Sequence, residues 1–361
     1  MLQALFHAWE RRLASVTQDR VVRPFEWGLE WLADDERSTA TDGRAGEPAE
    51  AVRDWVSHVM KDTDAFFTPT PTGDYRLDAT PEGDRLTFPS ALVTPHPANN
   101  TVHCRLFPAR DGSRRAAVLV LPQWNSDPGG HVGLCRLLAW NGLNALRLSL
   151  PYHDRRMPPE LTRADYIVSA NVGRTVQVCR QAVLDARRAI WWLHSQGFER
   201  IGILGSSLGS CLALLTTAHE PLVEAEALNH ISPHFADVVW RGLSTAHVRD
   251  GLEGHIELDL LRTLWSPISP RSYLERLRDR QTLLVYARYD LTFPVDLSED
   301  LVRGFEELDI PHELAVLRCG HYSTGKAPFK FVDGWILTRF LKRMLGSGYG
   351  RTRPGRRRGY R

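Results

Sequence analysis

Short apolar runs alternate with longer segments of helical periodicity from about residue 86 onward, and this alternation restricts the fold more than any other feature. Parallel strands need long crossover connections, so the alternation predicts a mainly parallel α/β sheet with helices on both faces. The predicted strands are 86–93, 101–107, 116–121, 145–150, 200–204, 225–231, 282–286 and 312–317. The predicted helices are 132–140, 171–196, 208–219, 294–308 and 329–345.

The pattern of apolar, polar and charged residues divides the chain into three parts. Residues 1–85 read as helix, loop and helix, and we expect them to form a helical extension packed on the main domain. Residues 86–345 form the α/β domain, and the strandless stretch 233–278 predicts a small cap over the strand ends. Residues 346–361 contain six arginines and no acid. This composition predicts a disordered tail, either simply solvated or in contact with an anionic partner such as RNA, lipid or an acidic protein.

Composition excludes several classes of protein. The 361 residues are 43% hydrophobic and 24% charged with a net charge of +2, which is typical of globular chains and argues against a nucleic-acid machine. The five cysteines are widely spaced, so we expect no zinc site and no disulfide framework. The N-terminus does not resemble a signal peptide, and no apolar run is long enough for a transmembrane segment. We therefore predict a cytoplasmic protein.

A G-x-S-x-G pattern at residues 205–209 lies between a predicted strand and a predicted helix. This strand–turn–helix context is the one in which the pattern presents a nucleophilic serine. The small residues on both sides permit a tight turn, and the helix N-terminus favours developing negative charge. The sequence therefore predicts Ser207 as the nucleophile, with Ser206 pointing elsewhere. The alternative is a Gly/Ser turn that only packs the helix on the strand.

A serine hydroxyl needs a base, and the predicted strand ends supply one. His321 follows the last predicted strand of the domain, and Asp290 follows strand 282–286. We expect His321 to act as general base and Asp290 to orient its imidazole. Asp290 could instead cap the helix that follows, and Asp237 is a reserve candidate for the acid.

On these motifs, residues 86–345 resemble the α/β-hydrolase superfamily, with its chain order of serine, acid and histidine. More loosely, they are similar to the domain-containing-18 group and to enzymes related to dienelactone hydrolase and acetyl xylan esterase. The resemblance implies a Ser–His–Asp enzyme that acts on an ester, thioester or amide without a cofactor. His230 and His234 have no partner acid or cysteine at metal-ligand spacing, so we expect no metal site. The superfamily's common His-Gly dipeptide is absent after strand 116–121.

Two loops at the strand ends are expected to complete the site. By position, the backbone N–H of Gln123 or Trp124 would join that of Leu208 in an oxyanion hole. Tyr152 and Arg155 follow strand 145–150 and are predicted to contact substrate, although a solvated rim loop is the alternative.

The combined sequence features favour a serine hydrolase that cleaves a small-molecule carboxylic ester or thioester through an acyl-enzyme on Ser207. A peptidase or an acyltransferase would use the same three residues. A non-catalytic binding protein built on this fold is a further alternative.

Overall fold

A single twisted sheet organises the molecule. The computed structural model describes residues 1–17, 19–33, 47–81, 83–346 and 359–360. In these residues ten strands lie in the order β1-β2-β3-β5-β4-β6-β7-β8-β9-β10. The strands are β1 Arg76–Asp78, β2 Asp84–Pro89, β3 Thr101–Phe107, β4 Ala116–Leu121, β5 Asn144–Leu148, β6 Arg200–Ser206, β7 Val223–Asn229, β8 Gln281–Ala287, β9 His312–Leu317 and β10 Gly359–Tyr360. The pairs formed by β1, β2, β3 and β5 are antiparallel, and every pair from β5 to β10 is parallel. The predicted mainly parallel sheet is confirmed.

Helices cover both faces of this sheet. They are α1 Leu2–Ala14, α2 Pro48–Val59, α3 Thr63–Phe67, α4 Val132–Trp140, α5 Val172–Ser195, α6 Leu208–His219, α7 Phe235–Arg241, α8 Ala246–Leu252, α9 Leu258–Leu264, α10 Val295–Glu307, α11 His321–Thr324 and α12 Phe329–Leu345. Because side chains alternate along a strand, Leu119 of β4 packs with the apolar residues of α5 and α6, whereas Val118 and Val120 pack with those of α4 and α12. The core therefore has one apolar layer on each face of the sheet. No helix in the described part of the chain has both the length and the apolar character needed to cross a bilayer.

The segment between β7 and β8 contains α7, α8, α9 and three 3₁₀ helices, Leu243–Thr245, Ser266–Ile268 and Pro270–Leu277. All of its residues are described, and none is in a strand. The ring of His247 in this segment stacks on that of Trp124, 5.7 Å between centroids. This contact brings the segment next to the loop that follows β4.

The first helix contacts the far end of the chain, where α1 packs against α11. Most of the predicted tail, residues 347–358 and 361, lies outside the described residues, so its disorder stays a prediction. Gly359 and Tyr360 pair with Leu314 and Ala315 of β9.

Candidate active site

Ser207 occupies the sharp turn between β6 and α6. Its backbone has φ 55° and ψ −121°, a left-handed conformation that strains any residue with a Cβ. Two neighbours hold it there. Its N–H donates to the carbonyl of Asn229 at 2.7 Å, and its carbonyl accepts from the N–H and the hydroxyl of Ser210 at 2.8 and 2.6 Å. Strain that the surroundings maintain in this way is typical of functional sites.

The two glycines of the motif permit this turn by close backbone packing. A Cβ on Gly205 would lie 2.1 Å from the carbonyl oxygen of Gly209. A Cβ on Gly209 would lie 2.2 Å from the carbonyl oxygen of Leu121, the last residue of β4. The start of α6 therefore lies directly against the end of β4, where the predicted oxyanion loop begins.

Asp290 and His321 meet at the carboxyl ends of β8 and β9. Nδ1 of His321 donates to Oδ2 of Asp290 at 2.9 Å. The other oxygen, Oδ1, accepts the N–H groups of Thr292 and Phe293, both at 2.8 Å. The ring of Phe293 also stacks on that of His321, with centroids 5.4 Å apart. Asp290 thus fixes both the turn that carries it and the orientation of the imidazole.

Burial and charge oppose each other at this pair. Burial alone would raise the pKa of Asp290, but the imidazoles of His321 and His230 hold it well below its usual value. Burial likewise disfavours the imidazolium of His321, yet the charge and hydrogen bond of Asp290 outweigh it and raise the pKa of His321. Asp290 is therefore a stable carboxylate, and His321 is a stronger base than a free imidazole.

Ser207 and His321 line the same cavity, which has a volume of about 1260 Å³. The hydrogen bond to Asp290 occupies Nδ1 of His321 and leaves Nε2 as the ring nitrogen that can act as a base. Among the described contacts, no hydrogen bond joins the Ser207 hydroxyl to His321. Such bonds are often long before substrate binds, so the shared cavity is the relevant relationship.

His230 is a second imidazole on the same carboxylate. It directly follows β7, with φ 58°, and its Nδ1 lies 3.0 Å from Oδ2 of Asp290. Burial, partly offset by Asp290, lowers the pKa of His230, so it stays neutral and donates Nδ1–H. No role for His230 was predicted from the sequence. The available signal was its place directly after a predicted parallel strand.

Within the described residues, the same three side chains form a group that could hold a metal ion. Donor atoms of His230, Asp290 and His321 lie within 4.8 Å of one another. However, both Nδ1 atoms already hydrogen-bond to Oδ2 of Asp290. A metal between them would displace the contact that orients His321. The geometry therefore fits a hydrogen-bonded carboxylate better than a metal centre.

Glu10 of α1 supports the loop that carries His321. Its carboxylate is fully buried and accepts the N–H groups of Tyr322 and Ser323 at 2.8 and 2.9 Å. These are the free donors at the N-terminus of α11. Gly320 permits the approach, since a Cβ there would lie 2.4 Å from Cδ of Glu10. The helical extension thus contributes directly to the position of His321, which sequence reasoning missed.

The loop after β4 lies where the oxyanion hole was predicted. Gln123 and Trp124 both line the cavity, and Leu208 is the first residue of α6. The indole N–H of Trp124 donates to the carbonyl of Ala164 at 2.9 Å, which fixes that ring as a wall. The next residue, Asn125, donates its N–H to Nε2 of His153 at 2.9 Å.

Tyr152 and Arg155 do not line the cavity that contains Ser207, so the structure does not place them where the sequence prediction did. Tyr152 has φ 64° and is fully buried, with its hydroxyl 3.0 Å from Nδ1 of His96. Arg155 is exposed on a 3₁₀ turn. His153 of this segment contacts the loop after β4, because its Nε2 accepts the N–H of Asn125. The reserve acid Asp237 instead pairs with Arg262, 2.6 Å apart.

A buried polar cluster lies beside the sharp turn between β6 and α6, on the face of the sheet that α4 and α12 cover. Nε2 of His131 lies 2.9 Å from the Ser206 hydroxyl, and the amide of Asn229 donates to Asp333 at 2.9 Å. All four residues line the cavity. Burial lowers the pKa of His131 to about 4 and raises that of Asp333 to about 7. Below pH 7 the cluster therefore carries little charge, and the Ser206 hydroxyl is engaged by His131.

Comparison with known proteins adds evidence on the fold. No protein-family model matches the chain, and no curated protein matches it in sequence. Among solved structures, it is similar to the acylaminoacyl peptidase of Pyrococcus horikoshii, with a TM-score of 0.58 and 14% identity over 77% of this chain. The match spans only 43% of that peptidase.

Two acetyl xylan esterases match over most of their length. The one from Thermoanaerobacterium has a TM-score of 0.57 and 13% identity, covering 81% of this chain and 94% of the esterase. The one from Paenibacillus has a TM-score of 0.57 and 16% identity, covering 91% of this chain and 98% of the esterase. These structural neighbours are thus named as a peptidase and as esterases. Together with the mainly parallel sheet, these matches show that the chain has the α/β-hydrolase fold.

Proposed function

We propose that the protein is a serine hydrolase that cleaves a carboxylic ester or thioester through an acyl-enzyme on Ser207. The observation that carries this proposal is the shared cavity of Ser207 and His321, with Asp290 hydrogen-bonded to Nδ1 of His321 at 2.9 Å. The strained backbone of Ser207 supports it, because such strain persists only where the surroundings maintain it.

In the proposed mechanism, Ser207 Oγ attacks the carbonyl carbon while Nε2 of His321 takes its proton. Asp290 stabilises the resulting imidazolium. The N–H of Leu208 and that of Gln123 or Trp124 stabilise the oxyanion, a contribution worth about 10²–10³-fold per donor. His321 then protonates the leaving group, and a water molecule activated by His321 hydrolyses the acyl-enzyme.

Labelling with a fluorophosphonate tests the nucleophile. We expect the wild-type protein to be labelled and Ser207→Ala to be unlabelled. Ser206→Ala is the matched control, because Ser206 is adjacent in sequence but hydrogen-bonded to His131. It should keep its labelling. Equal labelling of wild type and Ser207→Ala would contradict the assignment.

A peptidase is the second candidate, favoured by the names of two structural neighbours, the acylaminoacyl peptidase and a puromycin-hydrolysing peptidase. The same residues would attack an amide, and only the pocket and leaving group would differ. Rates on nitrophenyl esters and on aminoacyl nitroanilides separate the two candidates. We expect the esters to be cleaved and the anilides to remain intact.

We also propose a cytoplasmic location. All five cysteines are free and buried, which suits a reducing compartment. Cell fractionation with an antibody to the native protein tests this, and recovery in an extracytoplasmic fraction would contradict it.

A further inference from the structure

The cavity at Ser207 extends along a groove between α4 and α12. At its floor the two helices are close, since a Cβ on Gly334 would lie 3.3 Å from Cδ2 of Leu137. Phe331 and Trp335 line the groove from α12 and expose 66% and 51% of their surface. Large apolar side chains exposed together next to a reactive serine indicate a surface that binds an apolar group.

Positively charged side chains outnumber negatively charged ones in this cavity. Its described lining residues include six cations and a single acid, Asp333. Three of the cations are held by other protein groups, because Arg20 donates to the Tyr322 hydroxyl, Arg163 to Asp19 and Arg343 to Glu313.

The other three cations are exposed and make no ion pair with a described residue. They are Lys330, Arg339 and Lys342 of α12. The ammonium of Lys330 and the guanidinium of Arg339 each lie 4.9 Å from the ring centroid of a groove aromatic, Phe331 and Trp335 respectively. The apolar groove is thus flanked by cations that can interact with a negatively charged ligand.

The acid of the cavity does not cancel this charge. Asp333 is buried and accepts a hydrogen bond from Asn229 at 2.9 Å. It belongs to the weakly charged polar cluster with His131 rather than to the exposed face of α12. A substrate with a negative group would therefore meet attraction along α12 and little repulsion from the described lining.

We infer that the substrate is an acyl ester with an anionic group: its apolar chain packs on the exposed aromatic rings of the α4–α12 groove, and its negative group is attracted by the exposed cations of α12, Lys330, Arg339 and Lys342. This inference rests on the proposed function and specifies its substrate class. From Phe331 to Lys342 the helix rises by about 16 Å, so the groove spans a medium-length chain. The recognised chemistry is the same whether the ester is dissolved or lies in a bilayer.

The test uses two esters that differ only in charge, 1-octanoylglycerol and 1-octanoylglycerol 3-phosphate. We expect kcat/KM to be about tenfold higher for the phosphate ester at low ionic strength, with the ratio declining as salt is added. In Arg339→Gln/Lys342→Gln the ratio should fall toward one, since each exposed cation contributes about two- to fivefold. A ratio of two rates does not depend on how much of a variant folds.

Arg136→Gln is the matched control, because Arg136 is an exposed cation on α4 that does not line this cavity. Its ratio should equal that of the wild type. A wild-type ratio near one, or a ratio retained in the double variant, would overturn the inference. If fluorophosphonate labels Ser207 but neither ester is cleaved, the substrate class is wrong and the hydrolase proposal stands. If nothing is labelled, both fail.

Supplying the ester in two physical forms shows whether the substrate is dissolved or lies in a membrane. The phosphate ester is supplied either as a monomer or within vesicles of neutral phosphatidylcholine. Faster turnover of the monomer indicates a dissolved substrate, and faster turnover in vesicles indicates one taken from a membrane surface. Either result supports the substrate class, whereas failure to turn over the phosphate ester in both forms overturns it.

Discussion

The imidazoles of His230 and His321 lie 4.6 Å apart, centroid to centroid, and share one carboxylate oxygen, Oδ2 of Asp290. A carboxylate that accepts a second hydrogen bond has less negative charge to offer the first donor. The basicity of His321 is therefore set by His230 as well as by Asp290.

Replacing His230 should make His321 more basic. In His230→Phe, Oδ2 of Asp290 accepts a hydrogen bond from His321 alone, which raises the pKa of His321 further. Only the neutral imidazole accepts the serine proton, so the acidic limb of the kcat/KM profile should move to higher pH. The control is His234→Phe, since His234 is a half-buried neighbour that faces Asp300. A lower rate with an unmoved limb would show that His230 has only a structural role.

Removing the charge of Asp290 should have the opposite effect on pH dependence. In the wild type, Asp290 raises the pKa of His321 above its usual value of 6.5, so activity should rise with pH above that point. Asp290→Asn removes this shift, and the limb should move to lower pH while kcat falls about 10⁴-fold. Asp237→Asn is the matched control, because Asp237 pairs with Arg262 instead. An unimpaired Asp290→Asn enzyme would contradict the assignment.

Weakening the contact between Glu10 and the His321 loop should reduce turnover. Glu10→Gln keeps the size of the side chain but leaves one buried N–H without an acceptor, at a cost of about 1–3 kcal/mol of stability. A displaced imidazole should lower kcat about 10- to 100-fold and leave KM nearly unchanged. Glu50→Gln, an exposed acid on α2, serves as the control. A lower melting temperature with normal kcat would show that Glu10 only stabilises the fold.

Asp333 should make the protein less stable as pH rises. Burial raises its folded-state pKa from 3.8 to about 7, so the folded state keeps a proton that the unfolded state releases near pH 4. Between these values the folded protein binds more protons, and the free energy of unfolding therefore falls with increasing pH. Asp333→Asn should remove this slope, so its melting temperature should exceed that of the wild type most clearly above pH 7. Parallel melting curves from pH 5 to 8 would contradict the prediction.

Residues that follow parallel strands were predictable from the sequence. Ser207, Asp290 and His321 each come directly after an apolar run, and the carboxyl ends of parallel strands meet at one edge. The same reasoning failed for Tyr152, where a positive φ turns the side chain into the core. It could not reveal Glu10, whose hydrogen-bond partner lies 313 residues away along the chain. A contact of that separation leaves no periodic or local signal.

The hydrogen bond between Glu10 and Ser323 also affects how the protein folds during synthesis. A ribosome releases α1 early, but the backbone groups that Glu10 binds emerge only after more than 300 further residues. Until then a carboxylate destined for the interior has no partner, and α1 presents Phe6 and Trp9 to solvent instead of packing them on Phe329. The nascent protein is therefore expected to stay inactive and to need protection from aggregation until α11 has been translated.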